Sequence, residues 1–460
     1  MTPVACLATS LAGGLWIPAC SAKEISSIVV TEKKAPSSAP SWKSIHVDNG
    51  LVSMRIVPGI GGRVMQYQLG DYGFFWVNTN LDGIEPPQSK LSKDNDWLNY
   101  GGDKLWPSPQ GWKNSDQWPG PPDAVLDGGP FKLDIRKNTK SVSLSLISEE
   151  DEVSGIQFSR DIKMFEGTTR ISIDAHMKNI GKKPRQWGIW GHTQLDASNR
   201  KKEAGYNQHY WGYCPLNSKS IHPKGYHVMF GRENNPSYKT KDGIVGVHYQ
   251  REVGKIGVDS DAGWIATVDG TAGKVFVQRF KFQPDKKYPN NASVEFWMNG
   301  LGEINAYNKT IKMPEDEISN PHVFESEVVG PYVKLKPGES TSLHYDWYST
   351  DIGGNYPVID CTEAGVVCES LTATLKNRQL TISGRFGVFM KGEAHLIFLG
   401  ENQQSELAVK TIKNISPHKA LDISLTLEDE GLLRAESIEL RIADGHSKTI
   451  RTLAKAKISK

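Results

Sequence analysis

Apolar and polar positions alternate with period two along most of this chain, the pattern of strands that bury one face. Ile45-His46-Val47-Asp48 and Leu51-Val52-Ser53-Met54-Arg55-Ile56 flank Asn49-Gly50, a turn signal that predicts a hairpin. Further alternating runs lie at 131–136, 141–147, 156–164 and 169–178, with Gly, Asn and Asp between them. In the last of these, Ile171, Ile173, Ala175 and Met177 point one way and Ser172, Asp174, His176 and Lys178 the other. More runs follow at 273–282, 293–299, 322–329, 332–335 and 342–348, and long amphipathic helical windows are nearly absent. The pattern predicts an all-β protein whose main body, 42–348, is a large antiparallel sandwich with long decorated loops.

From 349 to 368 the alternation stops and Gly, Pro, Asp and Thr dominate, which marks a linker. Short strands at 371–375, 379–383, 394–399, 421–427 and 438–442 then predict a small accessory β-sandwich over 369–460, with only Phe386, Phe389 and Phe398 as aromatics. Residues 1–20 read as an export signal: an apolar stretch from Ala5 to Ile17, too short for a membrane span, precedes Cys20. Ile17-Pro18-Ala19-Cys20 resembles a bacterial lipobox, so lipidation of Cys20 is expected, with plain secretion as the alternative. Residues 21–41, rich in Ser, Ala, Pro and Lys, read as a tether. These features place the mature chain in the periplasm or cell envelope, touching membrane only through the lipid at Cys20. In that oxidising setting Cys361 and Cys368 are expected to bridge, leaving Cys214 as a spare thiol. Lys plus Arg (54) nearly balances Asp plus Glu (52), so there is no strong field for nucleic acid.

The candidate chemistry begins in Tyr100-Gly101-Gly102-Asp103-Lys104-Leu105-Trp106-Pro107-Ser108-Pro109-Gln110-Gly111-Trp112. Five of thirteen tryptophans fall between Trp76 and Trp118. Indole faces suit the C–H face of a pyranose, so the block reads as a sugar-facing loop, or else as a long loop folded over a core. Tyr100, Trp106 and Trp112 are its candidate contacts. Asp103 and Lys104 could hydrogen-bond hydroxyls or a sugar carboxylate, and Arg63 could hold a carboxylate bidentately; all three could equally form salt bridges. Alternation puts Trp190, His192 and Gln194 on one strand face, and Glu295, Trp297 and Asn299 on another. Glu325 and Glu327 also point the same way, about 7 Å apart along a strand, a pair suited either to proton transfer or to an exposed acidic edge. No spacing among His209, His222 and His227 demands a metal, and neither metal nor cofactor is expected.

Gly61-Gly62-Arg63-Val64, the block from Tyr100 to Trp112, the Trp190-Gly191-His192-Thr193-Gln194-Leu195 strand and the segment from Glu327 through Val328, Val329, Gly330 and Pro331 together resemble an uncharacterised bacterial family of the galactose mutarotase-like superfamily. The resemblance covers roughly 45–348. It implies a β-supersandwich that binds carbohydrate on its concave face. It also implies Glu327 as the base that takes the anomeric proton and His192 as the acid that protonates the ring oxygen. The family's second histidine is replaced here by the glycine- and tryptophan-rich block, and its sugar-supporting aspartate has no counterpart. Three functions stay open: an epimerase-type sugar-converting enzyme, a polysaccharide lyase acting on uronates, and a non-catalytic surface glycan-binding protein.

Overall fold

A computed structural model describes residues 27–34, 42–84, 97–114, 117–202, 204–400, 405–445 and 449–460. The expected signal segment and Cys20 lie outside them. No helix among the described residues is long and apolar enough to cross a membrane. Apart from short 3-10 turns, the described chain is built from strands, as the alternation predicts.

Two large antiparallel sheets of twelve and ten strands form the body. The Asn49-Gly50 hairpin joins Lys43–Asp48 to Val52–Val57, with Asp48 paired to Ser53. Ile171, Ile173, Ala175 and Met177 are fully buried between the sheets while Lys178 is exposed. The face of a strand that meets the other sheet must be apolar, and Ile189, Leu195, Phe296, Phe324 and Val328 from the larger sheet meet Phe276, Tyr345 and Trp347 from the smaller one in one continuous core. Within the larger sheet, six spatially adjacent strands run in the order Asp103–Ser108, Arg185–Asp196, Val323–Val329, Val294–Met298, Gly254–Val258 and Tyr226–Phe230. Their outward side chains make the floor of the site.

Three segments depart from the sequence expectations. Val29–Lys34, inside the stretch read as tether, is an edge strand paired to Lys43–Asp48. Asp103–Ser108, inside the block read as loop, is a fully buried strand in mid-sheet. Its glycines and prolines disguise the alternation, because Gly101 and Gly102 adopt positive φ to bring the chain close against the backbone of Trp76 and Val64. The stretch read as linker is partly buried: Ile352, Val358, Cys361, Val366 and Cys368 pack with Trp264, Tyr348 and Phe389 into a core shared by the smaller sheet and the C-terminal unit.

That unit is an eight-stranded sheet structure with its own core around Ile382, Phe386, Leu396, Leu440 and Ile442. The expected Cys361–Cys368 bridge is not formed; both are free, buried thiols. The hairpin register pairs Asp360 with Val367 and Cys361 with Val366. The cysteines are therefore diagonal neighbours, whose Cα atoms typically lie about 7–8 Å apart, beyond the usual span of a disulfide. Cys214 is also free and fully buried.

Candidate functional site

Cross-strand register assembles the site from residues far apart in sequence. His192 stands opposite Lys104 on one side and Glu327 on the other, and Glu327 stands opposite Glu295. One step along, Gln194 faces Glu325, Glu325 faces Trp297, and Trp297 faces Lys255. Trp190 is paired with Trp106. The three faces predicted from alternation thus join into one polar and aromatic floor.

Above it lies a cavity of about 480 Å³ lined by Trp76, Trp97, Trp106, Trp112, Trp190 and Trp297 together with His192, Gln194, Lys255, Asn299 and Glu325. The hairpin of Glu303–Ala306 and Lys309–Lys312 adds Ile304, Ala306 and Tyr307 to the lining, and Tyr307 packs on Trp112 with ring centroids 4.7 Å apart. His192 is clasped between indoles, its ring centroid 4.1 Å from that of Trp106 and 5.4 Å from that of Trp190. The indole N–H groups of Trp106 and Trp190 are buried without a protein acceptor.

Charge is packed tightly beneath this cavity. His192 Nε2 lies 3.2 Å from Glu325 Oε2 and 3.6 Å from Glu327 Oε1. Gln194 bridges the next pair, donating from Nε2 to Glu325 Oε1 at 2.8 Å while its Oε1 accepts from Lys104 Nζ at 3.0 Å. Lys255 Nζ sits 2.7 Å from Glu295 Oε2 and 2.9 Å from Glu327 Oε2, and 4.4 Å from the centroid of Trp190.

These surroundings set the protonation states. Burial pushes His192 down to about 4, against the pull of Glu325, so its imidazole is neutral at pH 7. Burial opposes ionisation of Glu325 as well, but His192, Lys104 and Lys255 outweigh it and hold that carboxyl at about 2. Glu327 goes the other way: complete burial, with Glu295 and Glu325 nearby, raises it well above the usual carboxylate range despite Lys255. Burial opposes the Glu295 carboxylate, and Lys255 overcomes it. Lys104 falls to about 7 through burial and the nearby Arg63. The site therefore holds one neutral imidazole between a firm carboxylate, Glu325, and a carboxyl that favours its proton, Glu327.

Of the residues singled out from sequence, Trp106, Trp112, Trp190, His192, Gln194, Trp297 and Glu325 line this cavity, and Glu295 lines an adjoining lobe. Glu327 lies fully buried under Lys255 and His192 rather than in the lining. Lys104 is sealed behind Gln194 and Trp106.

The other three have structural partners. Arg63 is completely buried, donating to Asp127 Oδ1 at 2.5 Å and to the Gly101 carbonyl at 2.9 Å. Asp127 also accepts from Trp97 Nε1 at 2.7 Å, so Arg63 reaches the cavity only by steadying one of its walls. Asp103 points between the sheets, paired with Arg160 at 2.5 Å and accepting from Thr193 at 2.8 Å. Tyr100 packs with Trp42, Ile60 and Met65 in a separate small core. Parity explains Asp103, which shares the inward face of Val64 and Thr193; Arg63 and Tyr100 are instead covered by Asp127 and by the Trp42 cluster.

Lys255 was not singled out from sequence. Its signal was one lysine inside the apolar run Val253-Gly254-Lys255-Ile256-Gly257-Val258, where a charge must be paired to be buried. Phe230 and Tyr307, also in the lining, carried no comparable signal.

His192, Glu325 and Glu327 also present three ligand atoms within 4.8 Å of one another, the only such cluster among the described residues. One imidazole and two carboxylates are a donor set that Zn²⁺ accepts. The Lys255 ammonium already stands 2.9 Å from Glu327 Oε2, where it opposes a second cation.

The chain belongs to the family described as Domain of unknown function (DUF4380), whose model matches residues 43–349. No curated protein matches it. Among solved structures it is similar to a TPR-domain containing protein from Parabacteroides distasonis, at 14% identity and a TM-score of 0.46 over 72% of this chain. The chain spans 54% of that protein's length. It is also similar to galactose mutarotase-like proteins from Clostridium acetobutylicum (10% identity, 70% of this chain and 99% of that one, TM-score 0.44) and from Lactobacillus casei (11%, 66% and 99%, 0.41).

Proposed function

We propose that this protein binds a neutral carbohydrate in the tryptophan-walled cavity and interconverts its anomers by proton transfer at His192. The carrying observation is the neutral imidazole held by two glutamates on a floor otherwise made of indole faces, with two buried indole N–H groups lacking an acceptor. Sugar C–H faces stack on such walls, and sugar hydroxyls accept from such donors.

In the proposed reaction His192 takes the proton of the anomeric hydroxyl as the bond from that carbon to the ring oxygen breaks. It then returns the proton to the ring oxygen, leaving the open aldehyde, and the reverse sequence closes the ring on either face. Glu325 orients the imidazole and stabilises its transient charge. Glu327, 3.6 Å behind it, is a proton reserve rather than the group that meets the ligand. This departs from the roles implied by the mutarotase resemblance, because Glu327 is sealed and favours its protonated form.

A uronate-cleaving reading has less support. Its cations would be Arg63 and Lys104, both sealed, and Lys255 is already engaged by two carboxylates. The lipobox-like Cys20 supports action in the cell envelope, where glycan fragments are available.

The test is exchange NMR on anomeric protons of glucose, galactose, mannose and xylose. Accelerated exchange that His192→Ala abolishes is the expected result. Saturation transfer without exchange makes the protein a binder, and a new vinylic signal with uronate oligosaccharides makes it a lyase.

A further inference from the structure

The cavity over the sheet has two lobes. Beside the chamber of about 480 Å³ lies a second of about 230 Å³, and Gln110, Trp190, Phe230 and Lys255 line both. Resting on the carbohydrate reading above, we propose that the site takes a glycan of at least two linked sugar rings, one ring in each lobe, with the linkage crossing the waist formed by Trp190 and Lys255.

The two lobes differ in chemistry. The larger is walled by indoles and holds His192 and Glu325, so the ring placed there is the one acted on. The smaller adds Ser108, His227, Met229, Asn290 and Glu295, a mainly polar lining that suits hydroxyl groups and contains no second proton-transfer pair of the His192 kind.

Both lobes grow from one row across the sheet. Beyond Lys104, His192, Glu327 and Glu295 the row continues to Gly257 and His227. Gly257 lets the His227 ring lie close against the sheet beside the second lobe: a Cβ there would come within 2.7 Å of the His227 ring and 3.0 Å of Ala292. At the waist, Trp190 Nε1 is buried with no protein acceptor, a donor that a ligand oxygen would satisfy. The volumes fit as well, since the two lobes together stay within the roughly 300–1,000 Å³ of small-molecule sites. A ring in the remote lobe would supply binding energy to position the reacting ring, the usual use of contacts away from the chemistry.

The test is titration calorimetry with glucose, galactose, mannose and xylose, and with maltose, cellobiose, lactose, mannobiose and xylobiose. At least one disaccharide should bind tenfold or more tightly than its component monosaccharide. Met229→Trp should remove that gain by filling the smaller lobe, while leaving monosaccharide affinity within twofold. Met229 sits at the β-bulge between Val228 and Phe230, outside the regular pairing, where an enlarged side chain does least harm to the ladder. His227→Ala, which enlarges that lobe instead, should lower disaccharide affinity alone and serves if the tryptophan variant does not fold. Equal affinity for mono- and disaccharides, or a gain that survives both substitutions, overturns the two-ring proposal and leaves the sugar reading standing. Silence from every sugar in the set overturns both.

Discussion

Removing the ammonium of Lys255 tests whether the charge cluster beneath the cavity is held together as described. Lys255 is 5% exposed and lies 2.7 Å from Glu295 and 2.9 Å from Glu327, themselves 2% and 0% exposed. At an effective dielectric constant near 20, the contact with the Glu295 carboxylate is worth about 6 kcal/mol of gross attraction, most of it offset by desolvation of the two groups. Lys255→Met fills the space but leaves two buried carboxyls facing each other, a loss of about 3–5 kcal/mol. The variant limits that loss by keeping a proton on Glu327, whose carboxyl already lies well above its ordinary range. A carboxyl raised in the folded state binds more protons than the unfolded chain above the unfolded value, so its stability falls as pH rises. The penalty should therefore grow with pH, by up to about 1.4 kcal/mol per unit in the window where only the variant keeps Glu327 protonated. Glu295→Gln added to Lys255→Met should restore more than half of the loss. Urea unfolding followed by tryptophan fluorescence reads this cleanly, because residues 369–460 contain no tryptophan. A penalty below about 1 kcal/mol, or no rescue by Glu295→Gln, would refute the cluster as the source of the buried charge balance.

Three further outcomes follow from the same geometry. Arg63→Met should cost about 3–5 kcal/mol in urea unfolding by stranding Asp127, without changing the preference between neutral and acidic sugars; a selective loss of uronate binding would return Arg63 to the site. With His192 lowered to about 4, anomeric exchange should hold from pH 7 downward and fall to half near pH 4 as the imidazole is protonated; a midpoint at pH 6 or above would contradict its burial between indoles. Cys214, Cys361 and Cys368 are buried with thiols pushed up to about 12, so the folded chain from residue 21 should resist a thiol reagent at pH 8 and release three thiols in urea; fewer than three on unfolding would show a bridge.

Much of the fold was legible because sandwich strands advertise their buried face. Ile171, Ile173, Ala175 and Met177 predict their own burial, and Asn49-Gly50 predicts its hairpin. Asp103–Ser108 was hidden because both of its faces are buried, so alternation vanishes and Pro107 and the flanking glycines imitate a loop. The burial within 349–368 is hidden for a related reason: Gly and Pro mark turns, yet those turns cross a core shared with the C-terminal unit. At the site, period two correctly grouped Trp190, His192 and Gln194, and Glu325 with Glu327. It gives no register between strands, and register is what sets Glu327 between His192 and Glu295, where Lys255 reaches it from the next row, and leaves Glu325 in the lining. Arg63 and Asp103 looked like ligand contacts because a charge in a glycine-rich block suggests exposure; their partners Asp127 and Arg160 lie 64 and 57 residues away.

Saturation-transfer NMR of the neutral mono- and disaccharides with the wild-type protein and Trp190→Ala asks whether the tryptophan-walled cavity over His192 binds neutral sugar. Trp190 lines both lobes and covers Lys255, so its loss should abolish transfer to a sugar that the wild type saturates. Undiminished transfer in a folded Trp190→Ala, or transfer to uronates alone, would contradict the account.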